Sequence, residues 1–182
     1  MTSSVTLNRS QCPITPEDKR FMEKVPYASS IGSIMYIMLC TRPDLAYLLS
    51  MTSKYLANPG KDHWVAVKNI LKYLRRTKDE FLIYSGIEEL TVIGYTNASF
   101  KTDRDDFRSH LGYVFCLNGG VVSSKSSKHN TVADSITEAV YIGTAEAAKE
   151  AVWINNFIQE LGVVPNSLNP IDLYFDNCCV RK

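Results

Sequence analysis

The sequence predicts an α/β fold, a mixed sheet built in the order β-β-β-α-β and preceded by a small helical region. Three observations carry this expectation. Apolar residues recur at spacings of three and four as far as residue 77, and from Phe81 onward the spacing changes to two. A long helical pattern over residues 135–161 then separates three strands from a last one, which requires a helical crossover back into the sheet.

Residues 1–24 are polar and contain Pro13 and Pro16, a composition that reads as an irregular or flexible arm. Residues 25–80 form the helical region. Over residues 28–40, Ile31, Ile34, Met35 and Met38 fall on one stripe. Pro43 suits a first helical turn, so a second helix is expected to run to Leu56, with Asn58-Pro59-Gly60 as its stop. Residues 60–77 give the third helix, with Trp64, Val67, Ile70, Leu71 and Leu74 on one face and Lys68, Lys72, Arg75 and Arg76 on or beside the other.

Residues 81–182 form the sheet domain. A short strand is expected at residues 81–84, and further strands at 90–100, 112–117 and 121–125. The last two join through Asn118-Gly119-Gly120, a strong hairpin signal. The long helix places Ile136, Val140, Ala147, Ala151, Ile154 and Ile158 toward the core and ends at Gly162 and Pro165. The last strand covers residues 171–177.

Lys and Arg total 20 against 19 Asp and Glu, a formal charge of +1, so no global field draws the chain to nucleic acid or to a membrane. Residues 1–89 hold 12 Lys/Arg against 9 Asp/Glu, leaving the first half mildly basic. The five cysteines lack the C-x-x-C spacing of a zinc site and read as free thiols of a reducing compartment. The start is polar, without the apolar core of a secretory signal, which implies an intracellular protein. Arg42, Pro43 and Asp44 interrupt the most apolar stretch, residues 31–51, so no membrane span is expected.

Several long blocks, in chain order, resemble copia-type retrotransposon Pol polyproteins. VPYASSIGSIMYIMLCTRPDLAY and NPGKDHWVAVKNILKYLRRTKD are similar to the stretch linking reverse transcriptase to RNase H. GYTNASF, RSHLGYVFCLNGG, SKSSKHNTVADSITEAVYI and LYFDN are similar to RNase H itself. The resemblance implies an RNase H-like sheet for residues 81–182, truncated after its last strand, and a connection region derived from reverse transcriptase for residues 25–80. Truncation in turn implies an exposed sheet edge.

RNase H chemistry uses carboxylates that hold two divalent ions about 4 Å apart, and magnesium suits such all-oxygen sites. The resemblance places the family's first Asp at Asn97 and its first helix-start Glu at Glu138. It puts Val140 where a second Glu usually stands and the strand Asp at Asp176; the fourth carboxylate lies downstream of Lys182. Asn97 keeps one neutral carbonyl oxygen and loses the charge that binds metal, so magnesium binding is expected to be weak or lost, with Glu138 and Asp176 as the residual ligands. Ser124 replaces a large aromatic of the family. The ordinary structural alternative for Glu138 and Asp176 is a helix-start Glu and a strand-end cap.

The cations Lys68, Lys72, Arg75 and Arg76 are candidates for weak binding to an RNA/DNA hybrid, or else a solvated helix end. Asp103, Asp105 and Asp106 read as a solvated charged loop rather than metal ligands. Three function classes follow. The leading one is a relict Pol fragment without efficient hybrid cleavage, whose partner is the remainder of the polyprotein. The second is a coopted interaction protein, including a secreted effector of the RxLR-labelled type acting on a host protein. The third is an active RNase H with a substituted ligand, for which Asp103 is the conceivable substitute.

Overall fold

The computed structural model describes residues 6–84, 86, 91–162 and 170–175. The chain divides into two compact units, Met1–Phe81 and Leu82–Lys182.

The first unit is helical: α1 (Pro16–Glu23), α2 (Tyr27–Cys40), α3 (Ala46–Ser53) and α4 (Lys61–Arg76). Its core is Tyr27, Ile31, Ile34, Leu45, Leu49, Val67 and Ile70, the inward residues of the three-and-four pattern. Met35 and Leu71, expected on those stripes, are exposed at the stripe margins. Pro43 opens a separate 3-10 turn, Pro43–Leu45, so the expected helix begins one turn late and stops at Ser53.

Residues 6–24 carry regular structure, where composition suggested an irregular arm. Asn8 caps a 3-10 turn at Arg9–Gln11, Thr15 caps α1, and Leu7 and Met22 are buried. The reason is long-range. His63, fully buried, accepts from the Gly60 backbone N–H through Nδ1 (2.8 Å), and its Nε2 lies 3.2 Å from the Asn8 carbonyl. The first interaction fixes the tautomer: Nε2 carries the proton and donates to Asn8. Gly60 sits so close to this segment that a Cβ there would lie 1.8 Å from the Gln11 carbonyl oxygen.

The second unit is a four-stranded mixed sheet, β1 (Val92–Ser99), β2 (His110–Leu117), β3 (Gly120–Lys128) and β4 (Asp172–Phe175), with α5 (Ile136–Leu161) between β3 and β4. The strand order is β3-β2-β1-β4, with β1 antiparallel to β2 and parallel to β4. Asn118 and Gly119 both have positive φ, 48° and 86°, and form the two-residue turn that joins β2 to β3. Residues 81–84 are not a strand; Phe81 and Ile83 are exposed, and the Tyr84 hydroxyl instead donates to the Val121 carbonyl at 2.7 Å.

Ser135 caps α5 and Gly162, at φ 62°, ends it. Tyr113, Phe115, Ala147 and Ile154 form the core between helix and sheet, with Leu173 and Ile158 packed against it. Ile136, expected in that core, is exposed in the first turn of the helix. Among the described residues Cys12, Cys40 and Cys116 are free thiols, and no helix is long and apolar enough to cross a membrane.

Candidate functional site

The position of α5 over the sheet orients everything at the site. Ser123 donates to Glu150 at 2.7 Å, and Lys125 lies 3.7 Å from Glu146, so the helix runs antiparallel to β3. Its first turn therefore lies at the end of the sheet where β1 and β3 finish. Asn97, Glu138 and the end of β4 share that end of the fold.

Asn97 pairs with Gly112 on β1 and is exposed. Its neighbour Ala98 faces α5, since a Cβ on Gly143 would meet the Ala98 Cβ at 3.4 Å. Alternation along a strand puts Asn97 on the opposite, open face, together with Tyr95. There Tyr95 stacks on Tyr174 of β4, ring centroids 5.7 Å apart. Ser124 lies on the same face, opposite Val114. The parallel register is described as far as Thr96 beside Phe175; Asp176 lies outside the described residues.

Glu138 belongs to the helix rather than to Asn97. Its Oε2 accepts from the Asp134 backbone N–H at 2.7 Å, and its own N–H donates to Ser135 Oγ at 3.1 Å. This reciprocal arrangement satisfies two otherwise orphaned donors and places negative charge at the positive end of the helix. Val140, two residues further along the helix, is half-buried. Among the described residues no three His, Cys, Asp or Glu side chains converge as a metal site. Asn97 thus offers a neutral amide on one face of the sheet, and the Glu138 carboxylate caps the start of α5.

The loop between β1 and β2 differs from the solvated loop expected of it. Asp103 is 3% exposed and pairs with Lys128 at 3.2 Å, while Lys128 also meets Asp106 at 2.5 Å and Arg108 lies 3.4 Å from Asp106. Burial is the largest influence on the Asp106 carboxyl and works to raise it, but the Lys128 hydrogen bond, the Lys128 charge and the Arg108 N–H together outweigh burial and the nearby Asp103 charge and hold the group below the usual carboxylate range. Lys128 stands at the end of β3, distant in sequence, so no local spacing announced the pair. Sequence reasoning also passed over His129, which is 3% exposed with neither ring nitrogen hydrogen-bonded. Burial lowers its pKa, opposed in part by the Glu146 charge.

In the first unit, α4 buries His63, Val67 and Ile70 and leaves Lys68, Lys72, Arg75 and Arg76 exposed. Beside them Arg42 grips Asp44 through Nε (3.0 Å) and Nη2 (2.7 Å), donates to the Thr77 carbonyl and lies over the Tyr73 ring. The Tyr73 hydroxyl donates to the same carboxylate at 2.8 Å. This network fastens the C-terminal end of α4 to the turn after α2.

No family model and no solved structure matches the chain. Curated relatives do. It is 45% identical over 163 residues to a retrovirus-related Pol polyprotein from transposon TNT 1-94 of Nicotiana tabacum, covering 90% of this chain and 12% of that protein. It is 35% identical over 151 residues to the Pol polyprotein from transposon RE2 of Arabidopsis thaliana, covering 83% of this chain and 10% of the relative. It is also 43% identical over 133 residues to secreted RxLR effector protein 161 of Plasmopara viticola, 73% of this chain and 94% of that protein. The chain thus spans about an eighth or less of the Pol polyproteins but nearly all of the effector.

Proposed function

Because the chain belongs to the family of copia-type retrotransposon Pol polyproteins, we propose that its second unit is a degenerate RNase H-like domain that does not cleave RNA/DNA hybrids efficiently. The observation that carries this reading is Asn97. It stands at the strand position where the resemblance expects the first metal-binding Asp, and an amide supplies one neutral oxygen in place of a charged pair. Glu138 adds support, since its carboxylate stabilises the start of α5 instead of facing a ligand. Magnesium binding at this site is accordingly weak or lost.

The function that remains is weak binding to nucleic acid, RNA/DNA hybrid included, with Lys68, Lys72, Arg75 and Arg76 as the contacting cations. Titrating the chain and Asn97→Asp with magnesium by calorimetry tests the site assignment. The substituted chain should bind magnesium measurably more tightly, and equal affinities would place the site elsewhere.

A second reading, a coopted interaction protein, rests on the Plasmopara viticola relative, nearly all of whose length this chain matches. Recovery of this protein from outside the cells that make it would favour that reading, and strict retention would count against it.

A further inference from the structure

A helix at a protein surface ordinarily turns a charged face to water. α2 does not. Its 14 residues, YASSIGSIMYIMLC, include no Asp, Glu, Lys or Arg. One face, with Tyr27, Ile31 and Ile34, is buried in the core of the first unit. The other carries three large apolar side chains, Met35 (45% exposed), Tyr36 (71%) and Leu39 (74%). Toward the start of the helix the same outer face is small. Ala28, Ser29 and Gly32 are exposed there, and nothing lies within 4 Å of a Cβ added to Gly32. The Ser29 and Ser33 hydroxyls already donate to the Pro26 and Ser29 carbonyls, at 3.2 and 3.0 Å, so covering them strands no donor.

We infer that a second copy of this chain covers this face, the two α2 helices packing antiparallel about a two-fold axis at mid-helix. Such an axis sets Tyr36 of one copy over Gly32 of the other and Leu39 over Ser29. Each large side chain then enters a hollow left by small residues, and the same contact is made twice, as an isologous interface requires. A parallel pair would set Tyr36 against Tyr36 and leave Gly32 facing Gly32 across a gap. Charge agrees with the antiparallel arrangement. No charged side chain of α2 meets its like, and the positive N-terminal end of each helix lies beside the negative C-terminal end of the other. The size of the face sets the strength. A helix of this length is about 21 Å long and about 10–12 Å across. One face of it falls short of the roughly 800 Å² a side of a standard interface, so the dimer is weak and concentration-dependent.

The test is sedimentation velocity of the full chain between about 5 and about 500 μM, a range that brackets the micromolar end of interface affinities. The average mass should rise from 20.5 kDa toward twice that value. Leu39→Glu should hold the chain monomeric, with circular dichroism unchanged because the side chain is exposed. Gly32→Leu is the sharper variant. The new side chain has room in the single copy, so the fold survives, but in the antiparallel dimer it takes the place of Tyr36 from the other copy. Dimerisation should weaken by about tenfold or more. Tighter association of Gly32→Leu would mean a parallel or non-specific apolar contact and would overturn the inference. So would association indifferent to Leu39→Glu. A mass of 20.5 kDa throughout would also overturn it, and would leave the face to another part of a Pol polyprotein.

Discussion

Gly143 of α5 lies against Ala98 of β1, so that a Cβ added to the glycine would stand 3.4 Å from the alanine Cβ, an ordinary van der Waals distance. The contact decides which face of β1 is covered and therefore which face carries Asn97. Gly143→Ala should fit and remove a helix-interior glycine, leaving stability unchanged or raised by up to about 1 kcal/mol. Gly143→Leu should lift the helix and cost about 1–3 kcal/mol. Thermal melts of both variants check the pair, and a destabilising alanine would mean the helix sits closer than described.

Arg42 and Asp44 give a second prediction. Arg42→Ala removes a largely buried guanidinium, leaving Asp44 with the Tyr73 hydroxyl and the Thr77 carbonyl with the Glu80 N–H but both without their hydrogen bonds from the arginine. The expected loss is about 1–3 kcal/mol, held to that range by the partial exposure of Asp44. Urea unfolding monitored at Trp64, which packs against the core of that unit, would register it. An unchanged midpoint would mean the pair contributes nothing to the attachment of α4.

His129 makes the second unit sensitive to acid. Burial holds its pKa below the ordinary imidazole value of about 6.5. The unfolded chain therefore takes up a proton near pH 6.5 that the folded chain refuses. Stability should fall as pH drops below 6.5, by up to about 1.4 kcal/mol per pH unit, until the lowered folded pKa is reached. Above pH 6.5 the group contributes no slope. His129→Leu should flatten that part of the curve, whereas identical melting curves between pH 5 and 7 for the two proteins would show that His129 is not buried uncharged.

Much of this architecture was legible in the sequence, because local chemistry agrees with the final structure. Asn118-Gly119 demands two positive φ values and receives them. Ser135 and Gly162 bracket α5, and the apolar stripe of α4 reads directly as its buried face. The failures share a cause in distant partners. Residues 81–84, Phe-Leu-Ile-Tyr, read as a short apolar strand, but Tyr84 spends its hydroxyl on the Val121 carbonyl. Residues 6–24 look irregular until His63 and Gly60 are brought against them. Asp103 reads as solvated because Lys128, its partner, stands 25 positions away. At the site, the position of Asn97 was legible from the resemblance. The commitment of Glu138 to the Asp134 N–H was open only as an alternative, since capping and metal binding ask for the same residue at a helix start.

Cleavage of an RNA/DNA hybrid in the presence of magnesium tests the central claim most directly. The unmodified chain should show no magnesium-dependent cleavage above background, because Asn97 lacks the charge that the reaction's metal ions require. Asn97→Asp alone should restore little turnover, since Glu138 remains engaged in capping α5. Robust cleavage by the unmodified chain, abolished by Glu138→Gln in a variant that still folds, would contradict the account.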